Sequence, residues 1–519
     1  MEAQDGVMRA VLPGMTRITV RDLWDDLTDP LPPAVADLPV GRVRDDSRRV
    51  EPGDVFVAVR GSAADGYEHI AEAVARGAAL VVAEQDADAD VPVVRVADAR
   101  SALAGLAAAA FGHPANRLTT VGITGTVGKT SVLAMLGAIL AEAGIAAGTI
   151  GSLGVRYAGS TLLTPNTTPG ILWIQEALAG MRDAGMNVAA MEVTSHALVQ
   201  RRVHGIAFDL GVFTNLTMLE HLEYHRSFRA YANAKMHFLE HLRPDAPLVH
   251  AAGDRVVRQV VRRHTGPRIS CGGGSAWVRV DRDAVDLDGT RITLDIRRPL
   301  PRLDGSCLEP CRIPLVLRTI GRPNIANATL AAAAALCLAA APDHVHAALA
   351  RIEPPRRRMQ VIRRDPIIID DTVGHPDSIT GVFELVERVP HRSLRVVFCV
   401  RGRRGAQINA RDAEALAIWS RRVPIDALHV TSAEDSADER NAVSVEEREA
   451  FLDVLRRARL PHTHHERLED AIAAALDGAR ERDLLLLLGA QGMDAGADIA
   501  GRLLDSAPLE AGSRRITSE

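Results

Sequence analysis

Short apolar runs alternate with alanine-rich stretches of helical period along most of the chain. "DVFVAV" (54–59), "LVVAE" (80–84) and "TTVGITG" (119–125) are short, nearly continuous in apolar character and bounded by polar or turn residues. Such runs read as strands buried on both faces, and their alternation with helical stretches predicts an α/β protein built on mostly parallel sheets. "IIID" (367–370), "RVVFCV" (395–400) and "LLLLLG" (484–489) predict a further parallel, Rossmann-like sheet towards the C-terminus. Two breaks divide the pattern. "FGHPANRL" (111–118) gathers turn residues, and "RIEPPRRRMQ" (351–360) ends a long Ala-rich helix in a Pro-Pro pair that cannot continue it. Three domains are expected, over 1–113, 114–354 and 355–519.

Composition narrows the class. The chain has 519 residues, 47% hydrophobic and 24% charged, enough for several packed cores. A net charge of -5 gives no basic face for nucleic acid and no polybasic membrane anchor, and 3% aromatic content argues against stacking platforms for single strands. The longest apolar run, "LAAAAALCLAAA" (330–341), is too short to cross a bilayer. The N-terminal text lacks the charged head and apolar core of a signal peptide, so a cytoplasmic location is expected. Five scattered cysteines read as unpaired thiols, with Cys307 and Cys311 at most half a metal site. Oligomeric state is not legible.

One count changes the picture. Of 61 basic residues only Lys129 and Lys235 are lysine, so 61 less 2 leaves 59 arginines. Lys129 lies in "VGITGTVGKTSVLAML" (121–136): an apolar strand, a Gly-rich turn, then a helix. That order aims unpaired backbone N–H groups, at the positive end of a helix dipole, at one point where phosphate can sit. Gly125 and Gly128 allow close approach, Lys129 supplies a point charge, and Thr130 offers a hydroxyl to Mg²⁺. Thr126 and Ser131 complete the expected ATP contacts. The full G-x-x-x-x-G-K-[ST] template is not met, because Ile123 stands at its first glycine.

The form T-G-T-x-G-K-[ST]-[ST] resembles the Mur ligases, ATP-dependent amide-forming enzymes of peptidoglycan assembly. "MEVTSHALVQRRVHGIAFDLGVFTNLTMLEHLEYHRSFRAYANAKMHFL" (191–239) is similar to the stretch holding that family's metal ligands and an N-carboxylated lysine. The resemblance implies Glu192, His221 and carboxylated Lys235 around Mg²⁺, with Lys129, Lys235, Glu192 and His221 as the catalytic group. A neutral primary amine adds CO₂ to give an anionic carbamate, whereas a guanidinium stays protonated, so arginine cannot replace Lys235 in that role. His225, four residues after His221, leaves a rival Zn²⁺ pair open. "PHTHHE" (461–466) reads as a solvated turn.

Within the family, "DSRRVEPGDVFVAVRGSAADGYEHIAEAVARGAALVV" (46–82) looks most like the enzymes that add the third residue, UDP-N-acetylmuramoyl-tripeptide synthetases (MurE-like). That implies an N-terminal UDP-substrate domain with Ser47 at the nucleotide. It also implies a central ATP-binding domain and a C-terminal amine-binding domain. Thr167, Thr168, Ser195, Gln200 and Arg202 are the implied acceptor contacts, with Arg202 equally readable as a surface ion-pair residue. Asn324, in "GRPNIANATLAAAAAL" (321–336), is implied at the base or is a helix-start residue. Arg358 is implied at the γ-phosphate and Asp371 at the nucleotide.

The likeness weakens after about residue 380. The family's D-Y-A-H-x-P-D reads "DDTVGHPDS" (370–378), with Gly374 at the histidine position. "CVRGRRGAQINARD" (399–412) replaces a Gly-Gly-Asp-Arg-Asp run, "TSAEDSADERN" (431–441) replaces the D-N-P-R that reads diaminopimelate, and "GAQGMD" (489–494) replaces G-K-G-H-E. The expected activity is ATP-dependent carboxylate–amine ligation through an acyl phosphate, on a UDP-N-acetylmuramoyl-peptide-like or other carboxylate acceptor. Diaminopimelate is not expected as the amine, because a site for it needs charged partners at its distal end. A Mur-type ligase of specialised metabolism, a catalytically quiet homologue and a small-molecule kinase remain as alternatives.

Overall fold

The computed structural model describes residues 18–506, apart from 62–64, 218–221, 288, 354–355 and 440. The boundary expected between 354 and 355 lies outside the described residues. Each apolar run read above as a strand contains one. Val43–Arg44, Val55–Val57, Leu80–Ala83 and Val93–Arg95 form a four-stranded parallel sheet. Val55, Val57, Leu80 and Val82 face the helix Ala99–Ala110, while Phe56 and Val81 fill the opposite layer, which accounts for the absence of polar alternation. Asp98 starts that helix by accepting the N–H groups of Arg100 and Ser101.

The middle of the chain builds an 11-stranded sheet. Its parallel centre runs in the spatial order Ala147–Gly151, Val188–Glu192, Thr119–Thr124, Leu210–Phe213, Leu248–Ala251, Arg268–Gly272. Antiparallel strands Gly289–Ile296 and Cys311–Leu317 extend one side by way of Val278–Asp286, and Gly154–Tyr157 with Ser160–Leu162 finishes the other. The run read as too short for a membrane lies in the helix Arg322–Cys337 and the turn after it; the helix is buried from Ala328 to Cys337 against this sheet. No helix among the described residues is long and apolar enough to cross a membrane.

The last sheet has six strands, five of them parallel in the order Ile367–Asp371, Leu484–Gly489, Leu394–Cys399, Ala427–Thr431, Thr463–His465, with Gln360–Arg364 antiparallel on the edge. "PHTHHE" is therefore not a turn. Its Thr463–His465 is the outer parallel strand, and His465 Nε2 lies 3.1 Å from His429 Nδ1 on the neighbouring strand. Backbone pairing to Ala427–Thr431 outweighs the polar composition that suggested a loop.

Candidate functional site

The strand Thr119–Thr124 lies in the middle of the central sheet, and its carboxyl end turns through Gly125–Gly128 into the helix Lys129–Glu142. Gly125 and Gly128 have φ of 140° and 88°, where side chains are strained. A Cβ at Gly125 would lie 1.9 Å from Thr214 Oγ1, and one at Gly128 2.3 Å from Asn327 Oδ1. Ile123, the template mismatch, is a fully buried strand residue. The neighbouring strand end braces the turn. Thr126 N donates to Asn215 O (2.9 Å), Val127 N to Asn215 Oδ1 (2.9 Å) and Thr214 Oγ1 to Val127 O (2.6 Å). Lys129 Nζ folds across the turn, donating to the carbonyls of Gly125 (3.0 Å) and Thr126 (2.9 Å). A braced Gly-rich turn ahead of a 14-residue helix is an anion cradle.

Glu192 ends the adjacent strand, in register with Ile123, and is 1% exposed. Its Oε2 accepts from Thr130 Oγ1 at 3.0 Å and its Oε1 from Ser152 N at 2.8 Å. Thr168 Oγ1 donates to the Glu192 carbonyl (2.8 Å), and the hydroxyls of Thr167 and Ser152 lie 3.0 Å apart. Hydroxyl and carboxylate oxygens thus meet at the mouth of the turn, a donor set suited to a hard cation.

Lys235 sits near the end of the helix Phe228–Met236 and is 1% exposed. Its Nζ lies 3.5 Å from Thr124 Oγ1 and 5.3 Å from the centre of the Tyr231 ring, one helical turn earlier. The Tyr231 hydroxyl is 2.9 Å from Thr126 Oγ1, which also accepts from Thr217 N. The two lysines of the chain therefore reach three consecutive residues, 124–126, from two helices. His221 lies outside the described residues. His225 Nε2 is 2.9 Å from Ser195 Oγ, and its ring packs among His196, Tyr224 and Tyr231. Among the described residues no group of three or more His, Cys, Asp or Glu is placed to hold a metal.

A cleft of about 620 Å³ opens between the central and C-terminal sheets. Thr126, Gly128, Lys129, Thr130, Ser131, Thr167 and Glu192 line it together with Asn324, on the helix packed against the central sheet; Arg358 and Asp371 complete it from the C-terminal side. Asn324 is at the third position of its helix, with Nδ2 donating to Ile320 O (2.9 Å) and Arg358 O (3.4 Å). Arg358 Nη1 donates to Arg357 O at 3.0 Å. Asp371 accepts from Met359 N at 2.7 Å, and burial pushes its carboxyl up to about 7 against the pull of Arg358. On the other face of that strand, burial raises Asp370 to about 6, with Arg357 opposing.

Other expected contacts lie off the cleft. Ser47 is in the N-terminal sheet's first turn, donating to Glu72 Oε2 at 2.7 Å. Gln200 Oε1 accepts from both Nε (3.0 Å) and Nη2 (2.6 Å) of Arg202, whose Nη1 donates to Thr168 O at 2.5 Å. Arg202 is thus turned inward onto neutral oxygens. The sequence reading missed Tyr231, Ser152 and Arg401. Only Tyr231 carried a signal, its four-residue spacing from Lys235 on one helix.

The fold and the phosphate turn define a nucleotide-dependent α/β enzyme with its cleft between two sheets. The chain belongs to the Mur ligase family of ATP-dependent acid–amino-acid ligases: residues 40–111 match the Mur ligase family catalytic domain, 123–335 the middle domain and 357–491 the glutamate ligase domain. It is 32% identical over 459 residues to the UDP-N-acetylmuramoyl-L-alanyl-D-glutamate–2,6-diaminopimelate ligase of Geobacillus kaustophilus, covering 86% of this chain and 88% of that one. It is 33% identical to the like-named ligase of Chromobacterium violaceum, covering 94% and 95%. A solved ligase of that name superposes with a TM-score of 0.65 at 19% identity over 92% of this chain and 94% of that chain. MurF from Acinetobacter baumannii also gives 0.65 at 19% identity, over 94% and 99%. These superpositions bear on the fold alone.

Proposed function

We propose that the protein joins an amine to the carboxylate of a UDP-N-acetylmuramoyl-peptide acceptor in the cytoplasm, in peptidoglycan assembly, with ATP cleaved to ADP and phosphate. One observation carries the reading: the chain's two lysines both reach residues 124–126, beneath and across the phosphate turn. Lys129 and the turn's N–H groups hold the β- and γ-phosphates, and Arg358 offsets charge on the γ-phosphoryl from the C-terminal side. Asn324 and Asp371 border the nucleotide. Ser47 meets the acceptor's uridine diphosphate, and Thr167, Thr168, Ser195, Gln200 and Arg202 shape the acceptor's passage to the cleft.

The residues present fit Mg²⁺: Thr130 Oγ1 and Glu192 Oε2 are oxygen donors 3.0 Å apart at the cleft, and Lys235 is buried under the same turn. Thr130, Glu192, His221 and an N-carboxylated Lys235 would hold the metal, which would supply neutralisation of phosphate charge. In the reaction an acceptor carboxylate oxygen attacks the γ-phosphorus, the bond to the β-phosphate oxygen breaks, and ADP leaves. The amine nitrogen then attacks the acyl carbon, the carbon–oxygen bond to phosphate breaks, and the nitrogen loses its proton to water. Phosphorylation replaces an oxide leaving group by phosphate, and the cleft holds the reactants together away from water.

The relatives are named for diaminopimelate, yet "TSAEDSADERN" and "GAQGMD" lack the charged text expected of its site. That favours a second reading in which the chemistry is kept and the amine differs. Incubation with ATP, Mg²⁺ and UDP-N-acetylmuramoyl-alanyl-glutamate, using hydroxylamine to trap the acyl phosphate as a hydroxamate, tests the main reading. Acceptor-dependent hydroxamate and ADP are expected; neither forming would refute it.

A further inference from the structure

Residues 356–360 lead into the C-terminal sheet, and the backbone there is wound tightly around Arg358. Arg357 and Met359, on either side of it, have φ of 59° and 54°, in the left-handed region that side chains disfavour. Such residues persist where the surroundings over-determine them. Arg357 N donates to Gln360 Oε1 at 3.1 Å, Thr372 N to Arg357 O at 2.9 Å and Met359 N to Asp371 Oδ2 at 2.7 Å. The Arg358 guanidinium turns back onto this frame, its Nη1 donating to Arg357 O at 3.0 Å.

The Arg357 side chain roots the frame in the sheet. Arg357 is 7% exposed, and neither it nor Asp370 lines the cleft. Its Nε donates to Asp370 Oδ1 at 3.3 Å, Nη1 to Ala490 O at 2.9 Å and to Asp494 Oδ1, and Nη2 to Gly489 O. Asp370 belongs to the strand Ile367–Asp371, and Gly489 ends the neighbouring strand Leu484–Gly489. One planar fork therefore ties two adjacent strands and the loop after the second. An ammonium, a single point of charge, cannot span those acceptors. Asp370 is fully buried, and its Oδ2 has no hydrogen-bond partner among the described residues. As a device for stability alone such a pair is weak, because apolar residues of similar volume do as well. What it supplies is a fixed position.

We propose, resting on the ligase reading above, that Arg357 and Asp370 are positioning residues that hold Arg358 at the γ-phosphoryl group. Arg357 touches neither nucleotide nor acceptor. It fixes the carbonyl onto which the Arg358 guanidinium turns, together with the peptide units on both sides. A cation that meets charge spreading over a transferred phosphoryl acts by being in place beforehand. Losing Arg357 thus lowers turnover, and does so through Arg358.

The full-length enzyme is assayed with ATP, Mg²⁺, UDP-N-acetylmuramoyl-alanyl-glutamate and hydroxylamine, which reads the first step whatever the amine. Arg357→Met combined with Asp370→Leu removes the pair without leaving a buried charge. Its urea transition should stay cooperative while hydroxamate formation falls about 100-fold, as for a catalytic group displaced by about 1 Å. Affinity for ADP, which has no γ-phosphate, should hold within about two-fold by calorimetry. Arg357→Lys keeps the charge without the span and should lose about 10-fold. In an Arg358→Gln background the same lysine substitution should cost less than about two-fold, because the group it positions is gone. Four results would overturn the proposal: hydroxamate from the pair variant within about three-fold of the unaltered enzyme, ADP affinity falling as far as turnover, the Arg357→Lys and Arg358→Gln losses multiplying, or Arg357→Lys failing to fold, which would make the role structural. Absence of hydroxamate in the unaltered enzyme would refute the ligase reading itself.

Discussion

Lys235→Met separates a carbamate role from an electrostatic or structural one. The side chain is 1% exposed, so the substitution replaces a buried amine by a thioether of similar length and leaves no large void. The substitution removes one side of the buried Nζ–Thr124 Oγ1 contact and leaves its partner in place, so the denaturation midpoint should fall, by about 1–3 kcal/mol of stability, with the fold kept. Lys235 does not line the cleft, and the Tyr231–Thr126 contact that reaches the phosphate turn remains, so ATP affinity should stay within about three-fold. Turnover is another matter. On the proposed carbamate role, losing that anionic ligand would remove at least as much transition-state stabilisation as losing one oxyanion donor, about 2.7 kcal/mol, or a factor of about 100. The assay is ADP release with the acceptor, alongside calorimetric ATP binding and a urea melt. A companion measurement strips CO₂ from the unaltered enzyme and restores it with bicarbonate: activity should fall and return, while Lys235→Met responds to neither. Turnover of Lys235→Met within a few-fold of the unaltered enzyme would refute the reasoning.

Tyr231→Phe removes the hydroxyl facing Thr126 Oγ1 and should weaken ATP binding about three- to ten-fold by calorimetry, as for one net hydrogen bond. Gly125→Ala forces a Cβ to 1.9 Å from Thr214 Oγ1 at φ 140°, so ATP binding should fall at least about 100-fold, or the protein should fail to fold. Asp371→Asn gives a pH signature. The folded carboxyl is raised from 3.8 to about 7, so the unaltered protein loses stability as pH rises from about 4 through 7; the gap of about three pH units sets a ceiling of about 4 kcal/mol. The asparagine variant lacks this loss, so urea midpoints of the two proteins should diverge in its favour across that window and run parallel above about pH 8; divergence on lowering the pH would contradict the burial argument.

The parallel strands were legible because burial on both faces strips them of polar residues. "IIID" and "LLLLLG" lie side by side in the C-terminal sheet and leave no other reading. The antiparallel extension of the central sheet escaped notice, although Gly289–Ile296 and Cys311–Leu317 alternate in the period of a half-exposed sheet. Their charged outward positions look like loop unless the alternation is counted. Thr463–His465 misled for a related reason: an outer strand needs only one backbone partner, and its side chains can stay polar. At the site, residues fixed by a contiguous motif were readable, and those fixed by tertiary approach were not. Ser152 reaches Glu192 through a backbone N–H, which no side-chain pattern reports. Arg401 is meaningful only beside a glycine 27 positions away.

The lysine count is the one bulk property that turned out to be a spatial statement. Arginine can stand for lysine where a solvated charge suffices, and this chain carries arginine at 59 of its 61 basic positions. Composition drift alone would leave the survivors scattered. Instead one spans the carbonyls of residues 125 and 126, and the other, more than a hundred residues later, lies buried against the hydroxyl of residue 124. A guanidinium is broader than the ammonium that folds across the turn, and the carbamate proposed for the second lysine would need a primary amine, so the proposed function puts a different chemical requirement on each of the two points. Arg401 is the reverse case. There the guanidinium donates to Gly374 O, and a Cβ at 374 would crowd the same nitrogen.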